Sequence, residues 1–185
     1  MIIKAQIKHL SQIIELAKTQ SLKNIPEKER KEKGFLISNF NEEVYKEYLN
    51  EAKHFYLYTN HNELLGFILA FRSEQIKQSE WLNNKIKQQA RKPFILIKQI
   101  AIKSGYESKG IASLLYKNLF TNVKFRPFYA AIVIEPYNKR SVKFHEKHGF
   151  KKVMEETPPD NIKRGVWFRN EENYPYLISG KTKGI

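Results

Sequence analysis

Apolar residues recur along this chain with two different periods, and the change from one to the other divides it into strands and helices. Residues 2–7 alternate as a first strand does, and 9–22 carry Leu10, Ile13, Ile14, Ala17 and Leu22 at helical spacing. The segment 25–33 is charged and holds Pro26, so a solvated loop or short helix is expected there, running to Gly34. Val44, Tyr45, Tyr48 and Leu49 predict a helix over 42–52 capped by Asn41. Segments 55–59 and 64–71 are aromatic and branched, and the polar residues 60–63 between them predict a hairpin.

The second half continues the alternation. A polar helix is expected over 79–91, a long strand over 93–102, and a helix over 110–120 with Ile111, Leu114, Leu115 and Leu119 on one face. Residues 129–135 read as a continuous apolar strand, hence one buried on both faces. A helix over 139–148 stops at Gly149, and short strands over 150–155 and 165–169 follow. The series predicts an α/β (α+β) domain over 1–169, a mixed sheet of about six to seven strands flanked by helices. The tail 170–185 has no clear period and is expected to be coil packed by Tyr174, Tyr176 and Leu177.

Composition sharpens this picture. A chain of 185 residues with 41% hydrophobic content can bury one core unaided. The absence of cysteine removes any disulfide framework, thiolate metal site or cysteine nucleophile, and suits a cytoplasmic protein. The longest strictly apolar runs, such as 129–134, are far short of the roughly 18 to 20 residues that span a bilayer, and Lys4, Gln6 and Lys8 interrupt the start, so neither a membrane span nor a signal peptide is expected. Lysine and arginine number 33 against 19 acids, a net charge of +14, which favours an anionic partner: nucleic acid, an anionic surface, or a small phosphorylated cofactor. The basic residues are spread along the chain and no nucleic-acid-binding motif appears, which disfavours the first.

The segment that carries chemistry is 100–113, Ile-Ala-Ile-Lys-Ser-Gly-Tyr-Glu-Ser-Lys-Gly-Ile-Ala-Ser, a strand running through a loop into a helix. Gly110 and the small residues Ser108, Ala112 and Ser113 allow close approach to the backbone, and the first helical turn offers unpaired N–H groups to an anion. Gly105 and Gly110 have the spacing of a nucleoside-triphosphate loop, but Ile111 and Ala112 stand where Lys and Ser/Thr are needed. A dinucleotide fingerprint fails because Glu107 stands where a glycine is required.

Glu107-Ser108-Lys109-Gly110-Ile111-Ala112 resembles the acetyl-CoA loop of the GNAT N-acetyltransferase superfamily, Gln/Arg-x-x-Gly-x-Gly/Ala after a strand. The block from Asn138 through Ser141, Phe144 and His145 to Phe150 is similar to a second, downstream motif of the same superfamily. The resemblance implies a sheet splayed between strands 4 and 5, with acetyl-CoA in the gap. It assigns the pantetheine to Ile100, Ala101 and Ile102, the phosphates to Glu107, Ser108, Lys109, Gly110, Ile111, Ala112 and Ser113, and further cofactor contacts to Asn138, Ser141 and Phe144. It implies an acetyl transfer to a primary amine of a small molecule or protein, and it leaves a homodimer open. Without cysteine the amine would attack the thioester directly in a ternary complex.

Two departures matter. Glu107 replaces the family's Gln or Arg, and an anion there would repel the pyrophosphate unless it faces away or pairs with Lys109. His145 stands where the family's tyrosine acid stands; it is expected to donate an N–H to the leaving thiolate, or else to pack beneath the pantetheine. Lys143, Lys147, His148 and burial would lower its pKa. Lys98 and Gln99 occupy the strand that often carries a carboxylate, so Glu135 is the candidate base, with a surface carboxylate as its alternative role. His145 and His148 lack acidic company, so no metal is expected, and no hydrolase nucleophile motif is present. The resemblance implies acceptor contacts from about 18–49 and from the strand-to-strand loops near the C-terminus, with Tyr45, Tyr48, Trp81 and Trp167 lining the cleft or packing the core. A nucleic-acid module and a degenerate acyl-CoA-binding regulator are the competing functions.

Overall fold

The computed structural model describes residues 1–30, 32–37, 41–123 and 126–170. Its strands are β1 (Ile2–Lys4), β2 (His54–Asn60), β3 (Glu63–Arg72), β4 (Ile95–Ile102), β5 (Phe128–Val133), β6 (Lys151–Glu156) and β7 (Arg164–Arg169). Its helices are α1 (Leu10–Thr19), α2 (Glu42–Glu51), α3 (Trp81–Gln89), α4 (Ile111–Asn122) and α5 (Lys139–Lys147). The strands form one sheet in the order β1-β2-β3-β4-β5-β7-β6, antiparallel except for the parallel pair β4 and β5. The tail contacts expected of Tyr174, Tyr176 and Leu177 lie outside the described residues.

Local chemistry sets most element ends. Asn41 accepts a hydrogen bond from the Val44 N–H at 2.9 Å, the cap expected for α2. The β2–β3 hairpin turns through His61 and Asn62, both with left-handed backbones, which gives a tight two-residue turn inside the longer connection expected. Gly149, at φ +83°, ends α5 where the sequence places the stop. Several ends differ from the sequence reading: α3 is shorter at both ends, β4 starts two residues later and α4 runs two residues further. The first strand stops at Lys4, and the first helix stops at Thr19, so Leu22 packs outside it beside Ile25, Phe35 and Val133. Strand β5 ends at Val133, leaving Ile134 and Glu135 in the turn that follows.

Helices cover both sheet faces. On one, α4 and α5 bury Leu115, Tyr116, Leu119 and Val142 against Ile68, Ile95, Ile97 and Ala130. On the other, α1 and α2 bury Ile13, Leu16 and Tyr45 against Leu57, Phe67 and Leu69. A smaller cluster packs Leu82 and Ile86 of α3 on Phe94, Leu96 and Val166.

Strand β4 changes face part-way. Leu69 pairs with Gln99 but Ala70 with Ile97, so Lys98 is an extra residue in β4, a β-bulge. Before it Ile95 and Ile97 belong to the α4 face; after it Ile100 and Ile102 do. The bulge keeps the apolar side chains on one core while the strand bends.

Candidate active site

The bulge coincides with the place where the sheet opens. β4 and β5 pair through Ile95 with Phe128, Leu96 with Tyr129, and Ile97 with Ala130, and there the pairing ends. Residues 98–102 continue beside β3 alone, so the backbone groups they turn toward β5 have no strand partner. Between the diverging strands lies a cavity of about 840 Å³ walled by β4, Ala131, Ile132 and Val133 of β5, the N-terminal half of α4 and one side of α5.

At one mouth of this cavity the loop 103–110 delivers the chain into α4. Gly110 precedes the helix at φ +82°, a conformation that glycine takes at no steric cost. An added Cβ there would meet no protein atom within 4 Å, so the requirement lies in the backbone and in whatever approaches from the cleft. No side chain caps the N-terminus of α4, and its first turn, Ile111, Ala112 and Ser113, lines the cavity with N–H groups that have no partner within the helix.

Cations line the same cavity: Lys33, Arg140, Lys143 and Lys147, the last three along one side of α5. Arg140 Nη2 donates to the Ser108 hydroxyl at 3.3 Å, and its Nη1 donates to the Glu32 carbonyl at 3.4 Å, so the guanidinium bridges the loop and the α1–α2 connection. Glu107 lines the cavity among them, and its Oε2 accepts the Gly105 N–H at 2.6 Å, stitching the loop to itself. Lys109, whose ammonium stands 4.4 Å over the Tyr106 ring, falls outside the cavity wall. The cations were not read from the sequence, although 140, 143 and 147 recur at helical spacing.

Further in, Asn138 is buried and works twice: its carbonyl oxygen accepts the Ser141 N–H at 3.4 Å to cap α5, and its amide donates to the Phe35 carbonyl at 3.0 Å. Ser141, Phe144 and His145 complete this wall, beside Ile100, Ala101 and Ile102. His145 is 3% exposed. Its Nδ1 lies 2.8 Å from the Ser141 carbonyl, which can only accept, so Nδ1 carries the proton. Nε2 therefore accepts from the Tyr116 hydroxyl, 2.7 Å away. Burial lowers the His145 pKa to about 4, and burial pushes the Tyr116 phenol far above its ordinary value. The expected N–H donor to a thiolate is thus committed to the helix backbone, and the packing alternative fits the geometry.

The rest of the wall comes from distant segments: Gly34 to Ile37, which pass beside Arg140 and Asn138, the β6–β7 connection with Pro158, Pro159 and Asp160, and the start of α3. Gln99 also lines the cavity, with its Oε1 accepting the Tyr45 hydroxyl at 2.7 Å. Trp81 borders the cavity and is 43% exposed, whereas Tyr45 and Trp167 are core residues and Tyr48 packs against that core. Glu135 is not brought here. It is exposed beyond the end of β5, its Oε1 accepting from Lys163 at 3.1 Å, which is the surface role and not that of a base in the cleft. Among the described residues no group of histidines and acids could hold a metal ion, and no helix is long and apolar enough to cross a membrane.

The acetyltransferase (GNAT) family model matches residues 12–150, which contain both the open β4 edge and the loop into α4. The chain belongs to this family. Solved structures agree in fold across nearly the whole GNAT domain. The NatB acetyltransferase complex bound to CoA and MES superposes with a TM-score of 0.65 at 18% identity, over 92% of this chain and 98% of that one. An Arabidopsis thaliana protein in complex with the bisubstrate analogue CoA-Ac-MVNAL gives 0.63 at 14%, over 92% and 97%. An N-acetyltransferase from Staphylococcus aureus Mu50 gives 0.62 at 18%, over 91% and 99%. No curated protein matches the chain in sequence. As a GNAT acetyltransferase the protein takes its acyl group from acetyl-CoA, and the cavity fits that donor. An uncapped helix N-terminus in a cavity lined by Lys33, Arg140, Lys143 and Lys147 suits its phosphates, and an unpaired strand edge suits an amide-bearing arm.

Proposed function

We propose that this protein is an N-acetyltransferase that moves the acetyl group of acetyl-CoA to a primary amine of a small molecule or a protein, within a ternary complex. The observation that carries the reading is the β4 edge exposed after Ile97, which shares one cavity with the uncapped N-terminal turn of α4. Bound acetyl-CoA supplies an activated thioester carbonyl. The N–H groups of Ile111, Ala112 and Ser113, with Arg140, Lys143 and Lys147, hold the phosphates, and the backbone of 98–102 pairs with the pantetheine. A backbone N–H there, aimed at the carbonyl, would stabilise the charge that develops on its oxygen. Ser141 and Phe144 wall the arm, and His145 supports that wall from beneath.

Lacking cysteine, the chain forms no acetyl-cysteine, so both substrates must be present together. The degenerate-binder alternative rests on Glu107 and on the missing strand carboxylate; the bond from the Gly105 N–H to Glu107 gives that carboxylate a place within its own loop and favours the enzyme reading. The test is a panel of amines with acetyl-CoA, read by release of CoA thiol. The chain contributes no thiol of its own to the signal. Time-dependent, amine-dependent release supports the reading; CoA binding without release for any amine refutes it.

A further inference from the structure

Attack on a thioester requires a neutral amine, and the acceptor's ammonium must first lose a proton. Three carboxylates border the cavity among the described residues: Glu80, Glu107 and Asp160. Glu107 is tied to the Gly105 N–H at the phosphate mouth. Both Asp160 oxygens accept from the Arg164 guanidinium, one of them also from the Ile162 N–H at 3.1 Å, and these donors hold its pKa below the usual carboxylate range. Asp160 is thereby committed to its own loop, the β6–β7 connection, and not to β4.

Glu80 is placed differently. It stands at the start of α3, on the segment joining β3 to β4, and its Oε2 lies 2.5 Å from Nζ of Lys98. Lys98 is the bulge residue at the point where β4 parts from β5. The carboxylate therefore sits at the end of the backbone row assigned to the thioester arm, the end away from the loop into α4. Its Oε2 also accepts from the Asn83 amide at 2.5 Å and its Oε1 from the Lys77 N–H at 3.3 Å, while both side chains of the ion pair remain 20% exposed. The same Lys98 ammonium stands over the faces of Tyr48 and Phe71, each 5.2 Å away, contacts that remain to it when an arriving ammonium takes up the Glu80 carboxylate.

We infer that Glu80 is the catalytic residue that takes the proton from the attacking amine, and that Lys98 is a positioning residue that holds its carboxylate at the open end of β4. The inference rests on the acetyl-transfer reading above. In the step, the ammonium gives one proton to Glu80, and the freed lone pair forms the C–N bond to the thioester carbonyl carbon. The C–S bond breaks with its electrons on sulfur, the second proton lost from nitrogen reaches the thiolate through water, and Glu80 returns its proton to solvent. Ammonium and thioester become amide, thiol and one released proton.

The test uses the full chain with acetyl-CoA and two acceptor probes, spermidine and a synthetic peptide with a free α-amine, read as CoA thiol release from pH 6 to 10. Glu80→Gln is expected to lower kcat/KM at pH 7 by about 10²-fold or more, the usual scale of general-base catalysis. The deficit should shrink as rising pH supplies neutral amine. Glu80→Asp should recover part of the loss. Lys98→Met should lower kcat while leaving CoA affinity unchanged, because the carboxylate loses the partner that holds it at the open end of β4. A second readout needs no turnover: Trp81 adjoins Glu80 in the cleft while Trp167 is buried, so Trp81 fluorescence in the CoA complex should report probe binding, weakened in Glu80→Gln. A Glu80→Gln profile parallel to wild type, or turnover within a few fold of it, overturns the assignment and leaves acetyl transfer standing. Wild-type protein that releases no thiol with either probe overturns both.

Discussion

The Tyr116 hydroxyl donates to Nε2 of His145 at 2.7 Å, and neither ring is open to solvent beyond 3%. With Nδ1 bonded to the Ser141 carbonyl, the imidazole is held neutral, in one tautomer, between α4 and α5. Protonating it would break the Tyr116 bond and bury an unpaired charge.

Stability should therefore fall in mild acid. The folded-state pKa of His145 is lowered to about 4 while the unfolded chain titrates near 6.5, so the unfolded state binds more protons between those values. The contribution is complete above pH 6.5 and is withdrawn as pH falls toward 4, on the order of 3 kcal/mol from His145. His54, buried and lowered to about 4 by burial and by Arg72, Lys4, Lys53 and Arg126, acts in the same direction. Urea unfolding at pH 7 and pH 5 measures the slope, and His145→Gln should flatten it.

Substitution of His145 should affect the fold more than the chemistry. His145→Ala leaves the Tyr116 hydroxyl buried without an acceptor and opens a gap against Phe144 and Phe150, costing about 2–4 kcal/mol. His145→Gln, whose amide oxygen can accept from Tyr116, should retain turnover within a few fold below the melting transition. A drop of 10² or more in kcat for a folded His145→Gln would return the acid role to this residue.

Phosphate recognition should divide between backbone and cations. Arg140→Ala removes a guanidinium that also ties Ser108 to Glu32 and should weaken CoA binding about 10-fold or more, the scale of one charge-assisted hydrogen bond. Gly110→Asp adds backbone strain at φ +82° and an anion at the helix N-terminus, and should abolish the thermal shift produced by millimolar CoA. Calorimetry and melting curves check both.

Glu107→Gln should change CoA affinity little, since an amide oxygen can accept the same Gly105 N–H and the carboxylate is already occupied with its own loop. Glu107→Ala should weaken binding by loosening that loop. Tighter binding by Glu107→Gln would show that its charge does reach the pyrophosphate.

Local pattern alone determined the order of elements, the hairpin, the helix caps at Asn41 and Gly149, and the turn into α4, because each depends on backbone bonds between near neighbours. Even the β4 bulge is written in the spacing, where apolar positions shift from Ile95 and Ile97 to Ile100 and Ile102. Helix α1 and strand β5 ended short of the periodic signal because Leu22 found apolar partners outside the helix and Glu135 a lysine across the surface. The roles of single side chains were decided by tertiary structure. Which face of His145 keeps the proton depends on Tyr116, 29 positions away, and Glu80 meets Lys98 only because the α3 segment folds back onto the strand it precedes. Spacing along the chain fixes which way a backbone bends, whereas the partner of a buried or paired side chain is chosen by packing between segments that the sequence holds apart.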